Sequence, residues 1–374
     1  MIIQAFAVVG GAEQQLANLA PALDRAGVDV HIITRSTPGA PSEVAIPGAT
    51  LHAVGGGDTK VRSSLSYTAG AVPLLRSLRP HVIHTHDLYS PNTIACIAKP
   101  VTKAAVVAKS NCGGEFGNVA RMKTKRGGPA RLALFRRMVD AFVVISDEID
   151  VELEAIGVPT EKRIRVPNGV DVSRYAPAEP PERIALRAAL VDEFPELANA
   201  GPLVVYTGRY NRQKGTDVLL QAWHRVAEAR PDARLLVIGT PRDEGVASWD
   251  TDQPGVVVVG PRPDVAPYLR AADLFVNASR AEGLSNSVLE ALAVGLPVVA
   301  TDIGGNCEIV QHDRTGFLVP PDDADSLTEG ILRALSDPHA SEWGRLARAA
   351  MVASFSLDSV AQQLADLYDR LRRH

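Results

Sequence analysis

Two glutamates eight positions apart open the chemical reading of this 374-residue chain. The run Glu282-Gly283-Leu284-Ser285-Asn286-Ser287-Val288-Leu289-Glu290 follows an apolar, strand-like stretch at 274–277 and its loop. Gly283 lets backbone approach a ligand closely. The N–H groups of Leu284, Ser285 and Asn286 fall where a helix begins, and a helix N-terminus attracts anions. Glu282, in the loop, suits acceptance of hydrogen bonds from sugar hydroxyls. Glu290, within the helix, could reach ribose hydroxyls. A capped helix carrying two solvated glutamates is the plain alternative.

A second run, Gly208-Arg209-Tyr210-Asn211-Arg212-Gln213-Lys214-Gly215, directly follows the apolar stretch 203–207. A guanidinium at Arg209 offers forked donors, and the Lys214 ammonium offers a point charge; together they suit a diphosphate. Either could instead be a surface cation. Gly10 and Gly11, with Glu13 just beyond, mark the first strand–helix turn. They permit close approach to phosphate or sugar, or simply a tight turn, and they do not complete a dinucleotide fingerprint. His84, His86 and Asp87 end the stretch 82–85. His84 and His86 share a strand face and read as packing, while His86 and Asp87 are placed to orient or polarise an acceptor hydroxyl. A metal there lacks further ligands nearby. Asp250-Thr251-Asp252 and Asp323-Ala324-Asp325 are Asp-x-Asp patterns read as structural, the second as a helix opening favoured by the macrodipole.

These residues need elements to hold them. Short apolar runs at 2–6, 28–34, 50–54, 82–85, 105–108, 141–145 and 163–166 alternate with helical patterns, and so do runs at 203–207, 235–239, 256–259, 274–277, 297–300 and 317–319. Few polar residues interrupt them, which predicts strands covered on both faces, as in parallel sheets. Helices are expected at 12–26, 217–229, 286–294 and 357–371. The class is α/β, with two doubly wound Rossmann-like domains facing each other across a cleft. The expected domains are 1–172 and 182–356, joined by an extended linker through Pro177, Pro180 and Pro181, with residues 357–374 a candidate to fold back on the first. Ligands in such folds bind beyond the carboxyl ends of the strands, where all four motifs fall.

Composition bounds the rest. Hydrophobic residues make up 46% and charged residues 22%, which excludes disorder and a polytopic membrane protein. Cys96, Cys112 and Cys307 are too few and scattered for a disulfide framework or a cysteine zinc site, and fit a reducing cytosol. No signal peptide and no membrane span is expected. The net charge is −4, yet residues 1–170 carry a balance of +5 and residues 171–374 one of −9. Seven cations and no acid occupy 121–137 (Arg121, Lys123, Lys125, Arg126, Arg131, Arg136, Arg137). This stretch is either a solvated face or a peripheral contact with anionic lipid headgroups or an anionic acceptor. Thin aromatic interleaving argues against nucleic acid.

The ordered motifs Gly10-Gly11-Ala12-Glu13, His84-Thr85-His86, Val166-Pro167-Asn168-Gly169-Val170-Asp171, Gly208-Arg209, Lys214-Gly215 and Glu282 to Glu290 resemble the retaining GT-B glycosyltransferases of family 4 (glycosyl transferase group 1), as does the run 289–305. The resemblance spans nearly the whole chain. It implies transfer of a sugar from a nucleotide-diphosphate donor, UDP-sugar by default, to a hydroxyl acceptor, with retention and without a metal or other cofactor. It assigns the diphosphate to Arg209 and Lys214. It gives the donor sugar to Glu282 and the backbone of Gly283, Leu284, Ser285 and Asn286. Glu290 takes the ribose, and Gly10 and Gly11 form the glycine loop. Many relatives carry a histidine after the fifth strand of the first domain, where this chain has Asn111. Asn111 donates a hydrogen bond but carries no proton, and Lys109 could supply positive charge instead. Glu13, His86, Asp87, Lys109 and Asn111 form the expected acceptor side, in a cytoplasmic protein with 121–137 a candidate membrane contact. The competing readings are a nucleotide-sugar epimerase on the same architecture and a non-catalytic nucleotide-sugar binding protein.

Overall fold

The computed structural model describes residues 1–4, 11–36, 46–57, 59–240 and 252–373. Each of the thirteen apolar runs contains a strand. In the first half these are β1 (Ile2–Ile3), β2 (His31–Arg35), β3 (Thr50–Val54), β4 (Val82–Thr85), β5 (Ala105–Lys109), β6 (Ala141–Val144) and β7 (Arg163–Arg165). In the second they are β8 (Leu203–Thr207), β9 (Arg234–Ile238), β10 (Val256–Gly260), β11 (Leu274–Asn277), β12 (Val298–Thr301) and β13 (Gly316–Val319). Every pairing between these strands is parallel. Every residue of β6, β8, β11 and β12 is buried, as expected of strands with helices on both faces.

The chain forms two compact units, Met1–Gly169 with Leu357–His374, and Val170–Ser356. The first holds a sheet of order β3-β2-β1-β4-β5-β6-β7, the second one of order β10-β9-β8-β11-β12-β13. Strand order reverses between β1 and β4 in the first sheet and between β8 and β11 in the second. Such a switch point splits the connecting helices to opposite faces and leaves a crevice at the strands' carboxyl ends. His86 and Asp87 follow β4, while Arg209 and Glu282 lie beyond β8 and β11.

The terminal helix Leu357–Arg372 lies in the first unit. Its stripe Val360, Ala361, Leu364, Leu367 and Tyr368 is buried, and it packs on the helix Gly11–Arg25 and on β4. The Tyr368 hydroxyl meets His84 Nδ1 at 2.6 Å.

The expected linker is a correction. Residues 170–181 belong to the second unit rather than to a free connection. Arg348 donates to the carbonyls of Val172 at 2.7 Å and Tyr175 at 3.0 Å, and the Tyr175 ring is buried. Pro180 and Pro181 open the helix Pro180–Glu193, because a first helical turn has N–H groups without intrahelical partners and tolerates proline.

Among the described residues no helix is long and apolar enough to cross a membrane.

Candidate functional site

On the second unit the site grows from the turn after β8. Asn211 caps the 3₁₀ turn Arg212–Lys214, its side chain accepting from the Lys214 N–H at 2.9 Å. Gly215 then turns left-handed at φ +61°, and a Cβ there would lie 1.9 Å from the Ala278 carbonyl oxygen. Only glycine lets this turn pass so close to the end of β11. The approach is pinned from the other side too. The Arg280 N–H donates to the Gln213 carbonyl at 2.8 Å, and the Arg280 guanidinium forks onto Asp217 at 2.8 and 2.7 Å.

The loops thus brace each other, and their charges meet. Lys214 Nζ lies 2.6 Å from Glu282 Oε1, with both side chains largely buried. Ser279 Oγ donates to the same Oε1 at 2.8 Å, and Thr301 Oγ1 donates to the Ser279 carbonyl at 2.6 Å. The carboxylate is therefore held by two donors, one of them itself anchored to β12. Arg209, half-buried, lies in the same turn after β8. Tyr206, fully buried beneath, donates to the Arg209 carbonyl at 3.1 Å and feels the charges of both Glu282 and Arg209. Arg209, Lys214 and Glu282, predicted from separate motifs, converge at one switch point.

Gly283 and Leu284 follow as buried loop, and Ser285 precedes the helix Asn286–Val294 without a side-chain cap of its own. The Gly283 carbonyl accepts from Gly305 N–H at 2.9 Å, tying the turn to the segment after β12. Glu290 lies one turn into the helix, half-buried, beside Tyr175, Arg174 and Asp264. Burial pushes its carboxyl up to about 7, against the neighbouring Tyr175 hydroxyl and the charge of Arg174.

On the first unit the expected acceptor-side residues gather beyond β4 and β5. Lys109 is buried and donates to Asn168 Oδ1 at 2.7 Å. Burial lowers its ammonium to about 8. His84 and His86 are also buried, with ring centroids 4.5 Å apart. Burial first, then neighbouring cationic groups, hold both well below the usual imidazole range, so both are neutral. The His86 ring therefore sits inside the unit. Asn111 spends its Nδ2 on the His86 carbonyl at 2.8 Å. Asn118 Oδ1 accepts from Asn111 N–H at 3.1 Å and from Ser110 Oγ at 3.1 Å, while its Nδ2 donates to Asp87 Oδ1 at 3.3 Å. Burial raises Asp87 to about 7, opposed by the Tyr89 N–H it accepts at 2.8 Å. Glu13, half-buried, adds its negative charge to Asp87. Gly11 opens the helix Gly11–Arg25; Gly10 lies outside the described residues.

Of the Asp-x-Asp pairs, Asp323 caps the helix Ala324–Ser336 and Asp325 pairs with Arg225, so that pair is structural. Asp250 and Thr251 lie outside the described residues. Among the described residues no three His, Cys, Asp or Glu side chains gather as metal ligands.

Ser279, Tyr175, Asn118 and Tyr368 support the site and were not predicted. Asn168 was noticed only as part of a motif. Asn168 reaches Lys109 across 59 residues and Tyr368 reaches His84 across 284, while Asn118 reaches Asn111, Ser110 and Asp87 across 7, 8 and 31. Ser279, three residues before Glu282, was legible in principle.

Known proteins fit this geometry. The sequence profile described as Glycosyltransferase Family 4 matches residues 9–174, and that described as Glycosyl transferases group 1 matches residues 201–337. The chain belongs to the family 4 glycosyltransferases. A D-inositol 3-phosphate glycosyltransferase of Mycobacterium avium is 29% identical over 395 residues, covering 97% of this chain and 90% of that protein. A GDP-mannose-dependent monoacylated alpha-(1-6)-phosphatidylinositol monomannoside mannosyltransferase of Corynebacterium glutamicum is 34% identical over 215 residues. That match covers 54% of this chain and about half, 55%, of the relative. Among solved structures, Anabaena HepE in complex with UDP and glucose superposes with a TM-score of 0.79 at 19% identity, covering 98% of this chain and 99% of that one. This likeness gives the glycosyltransferase its GT-B fold.

Proposed function

We propose that this glycosyltransferase moves a sugar from a nucleoside-diphosphate donor to a hydroxyl acceptor with retention, and that its side chains alone supply the positive charge at the leaving group. The observation that carries the reading is the convergence of Arg209, Lys214 and Glu282 at the β8/β11 switch point.

As the anomeric C–O bond breaks, its electron pair passes to the diphosphate, which gains negative charge. Arg209 and Lys214 stabilise that charge in a partly desolvated site, where fixed donors act more strongly than in water. Lys214 arrives paired to Glu282, so its ammonium is oriented before the donor binds. Glu282 accepts from donor-sugar hydroxyls, and the backbone of Gly283–Asn286 lines the same turn. The incoming hydroxyl attacks from the face the diphosphate leaves, and its proton passes to the departing phosphate oxygen. No protein nucleophile enters the step, so the asparagine at 111 is compatible with it. UDP is the default nucleotide and GDP the alternative, since relatives include a GDP-mannose user. Asp87, Glu13 and Lys109 belong to the acceptor side in this reading.

A thermal-shift screen against nucleoside diphosphates tests it. One of them should raise the unfolding temperature, since ligand binding to the native state alone stabilises it by mass action. The shift should grow as pH rises through 7, because Glu290, with its carboxyl near 7, accepts from ribose hydroxyls more strongly when ionised. Glu290→Gln should flatten that dependence. No shift with any nucleoside diphosphate would count against the reading. Conversion of the donor sugar without any acceptor would favour an epimerase instead, and binding without turnover over a broad acceptor panel would favour a sensor.

A further inference from the structure

The basic stretch has a structure that its composition does not reveal. The helix Asn118–Thr124 and the helix Gly128–Met138 pack on each other, and a Cβ on Gly128 would lie 1.7 Å from the Met122 carbonyl oxygen. Glycine at 128 allows this tight corner. The buried sides of the two helices are apolar (Val119, Met122, Leu132, Phe135), so the cations are forced outward. Arg121, Lys123, Lys125, Arg126, Arg136 and Arg137 are all exposed. Arg131 alone turns inward, its guanidinium donating to Thr93 Oγ1 at 2.7 Å.

Some cations elsewhere in this unit are paired, Lys99 with Asp140 at 2.6 Å and Arg163 with Asp150 and Glu154 at 3.4 Å. Among the described residues, none of the six exposed cations of this face forms an ion pair. Glu152 and Asp87 feel the charges of Lys123 and Lys125 as neighbours but form no ion pair with them among the described residues. Glu152 accepts from Gly114 N–H at 2.7 Å and Asp87 from Tyr89 N–H at 2.8 Å, while Glu115 is exposed at the edge. Two cations lie flat on rings, Lys125 at 4.1 Å from the Tyr89 centroid and Arg121 at 5.7 Å from Phe116. Apolar side chains accompany them outward. Leu134 is 40% exposed on the second helix, and Ile97 is 48% and Val101 53% exposed on the helix Ser90–Thr102, which packs against it.

Unpaired cations with exposed aliphatic neighbours, on a chain whose net charge is −4, complement a surface that is both anionic and apolar. A nucleic acid would instead want exposed aromatic rings for stacking, and the rings here are covered by cations. We propose that these two helices dock the protein on an anionic phospholipid bilayer as a peripheral contact. The face is continuous with the acceptor side, because Asn118, the first residue of the first helix, is the residue that binds Ser110, Asn111 and Asp87. The docking itself does not depend on the transferase reading.

Co-sedimentation of the full chain with vesicles tests it, comparing phosphatidylcholine alone with phosphatidylcholine containing phosphatidylglycerol. Binding is expected only to the anionic vesicles. It should be lost in about 1 M salt, where the Debye length falls to about 3 Å. Each cation near such a surface is worth roughly fivefold in partitioning, so the triple variant Arg121→Glu, Lys123→Glu, Arg126→Glu should bind at least about a hundredfold more weakly. Arg345→Glu, an exposed reversal on the second unit, should bind as the parent does. Unfolding midpoints and the nucleotide-induced shift should be the same for the triple variant as for the parent, and an alanine triple serves if they are not. Equal binding to neutral vesicles, full binding by the triple variant, or equal loss in Arg345→Glu would each overturn the proposal. So would retention on single-stranded DNA with no binding to vesicles.

Discussion

Lys214→Met lowers kcat by about 10²–10³, with a much smaller change in the donor KM. In the proposed reaction the ammonium faces a diphosphate whose charge grows as the sugar departs, so its contribution is larger in the transition state than in the ground state. Losing one such fixed donor typically costs about 3–4 kcal/mol in the barrier. Lys214 has little freedom to be replaced by a neighbour. Its N–H is tied to Asn211 at 2.9 Å, its Nζ to Glu282 at 2.6 Å, and Gly215 locks the turn against Ala278. Methionine keeps the stem but leaves the largely buried Glu282 carboxylate with Ser279 as its remaining named donor, so a loss of stability accompanies the loss of rate. Lys214→Met with Glu282→Gln removes that orphaned charge and should recover stability without recovering kcat. Steady-state kinetics at saturating donor read the first effect, and urea unfolding reads the second. A kcat within threefold of the parent would contradict the assignment.

Lys109→Met should remove a pH dependence of folding and impair transfer together. The Lys109 side chain is buried with Asn168 as its named acceptor, and burial lowers its ammonium from the ordinary 10.5 to about 8. The native state therefore releases this proton more readily than the unfolded chain. Below pH 8 both states hold the proton and the full cost of burying the charge, about 3 kcal/mol, weighs against folding. Between about pH 8 and 10.5 the unfolded chain binds more proton, so stability rises with pH across that window. Lys109→Met abolishes this rise. At pH 7 it gains the avoided burial of charge but loses the hydrogen bond to Asn168 Oδ1, a cost of about 1–3 kcal/mol, so net stability changes little. If the Lys109 charge serves the acceptor side, activity falls while the fold holds, a separation that a purely structural lysine would not give. Denaturant unfolding from pH 7 to 10 with transfer assays on the same variant checks both. An unchanged slope with pH would contradict a buried, charged Lys109.

The elements that hold these residues were legible because their physics is local. β6, β8, β11 and β12 are unbroken apolar runs, and a run covered on both faces needs no partner to be identified. The helix Asn286–Val294 is bounded by Gly295, left-handed at φ +84°, and so could be read to the residue. The donor-side motifs were legible for a related reason. Arg209, Lys214 and Glu282 each lie in the segment that follows a strand, and parallel topology brings the carboxyl ends of β8 and β11 together whatever the intervening chain does.

What failed to show was contact at a distance. Nothing in the spacing of Tyr368 connects it with His84, nor Asn168 with Lys109. Pro180 and Pro181 read as linker because proline punctuates both loops and first helical turns, and only the packing of Tyr175 and Arg348 decides between them. The burial of His86 was not legible either, because it depends on the terminal helix, which packs on β4 from the far end of the chain.

The central claim is that Arg209 and Lys214 grip the β-phosphate of the nucleotide. Its most direct measure is the ratio of dissociation constants for the nucleoside monophosphate and diphosphate, taken by titration calorimetry with the base that gives the largest thermal shift. A hydrogen bond to a charged group is worth about 1.5–3 kcal/mol, so two of them should make the diphosphate bind at least about a hundredfold more tightly than the monophosphate. In the Arg209→Ala, Lys214→Ala double variant that preference should collapse toward unity while monophosphate affinity stays close to the parent's. A double variant that keeps the full preference would show that the diphosphate is held elsewhere.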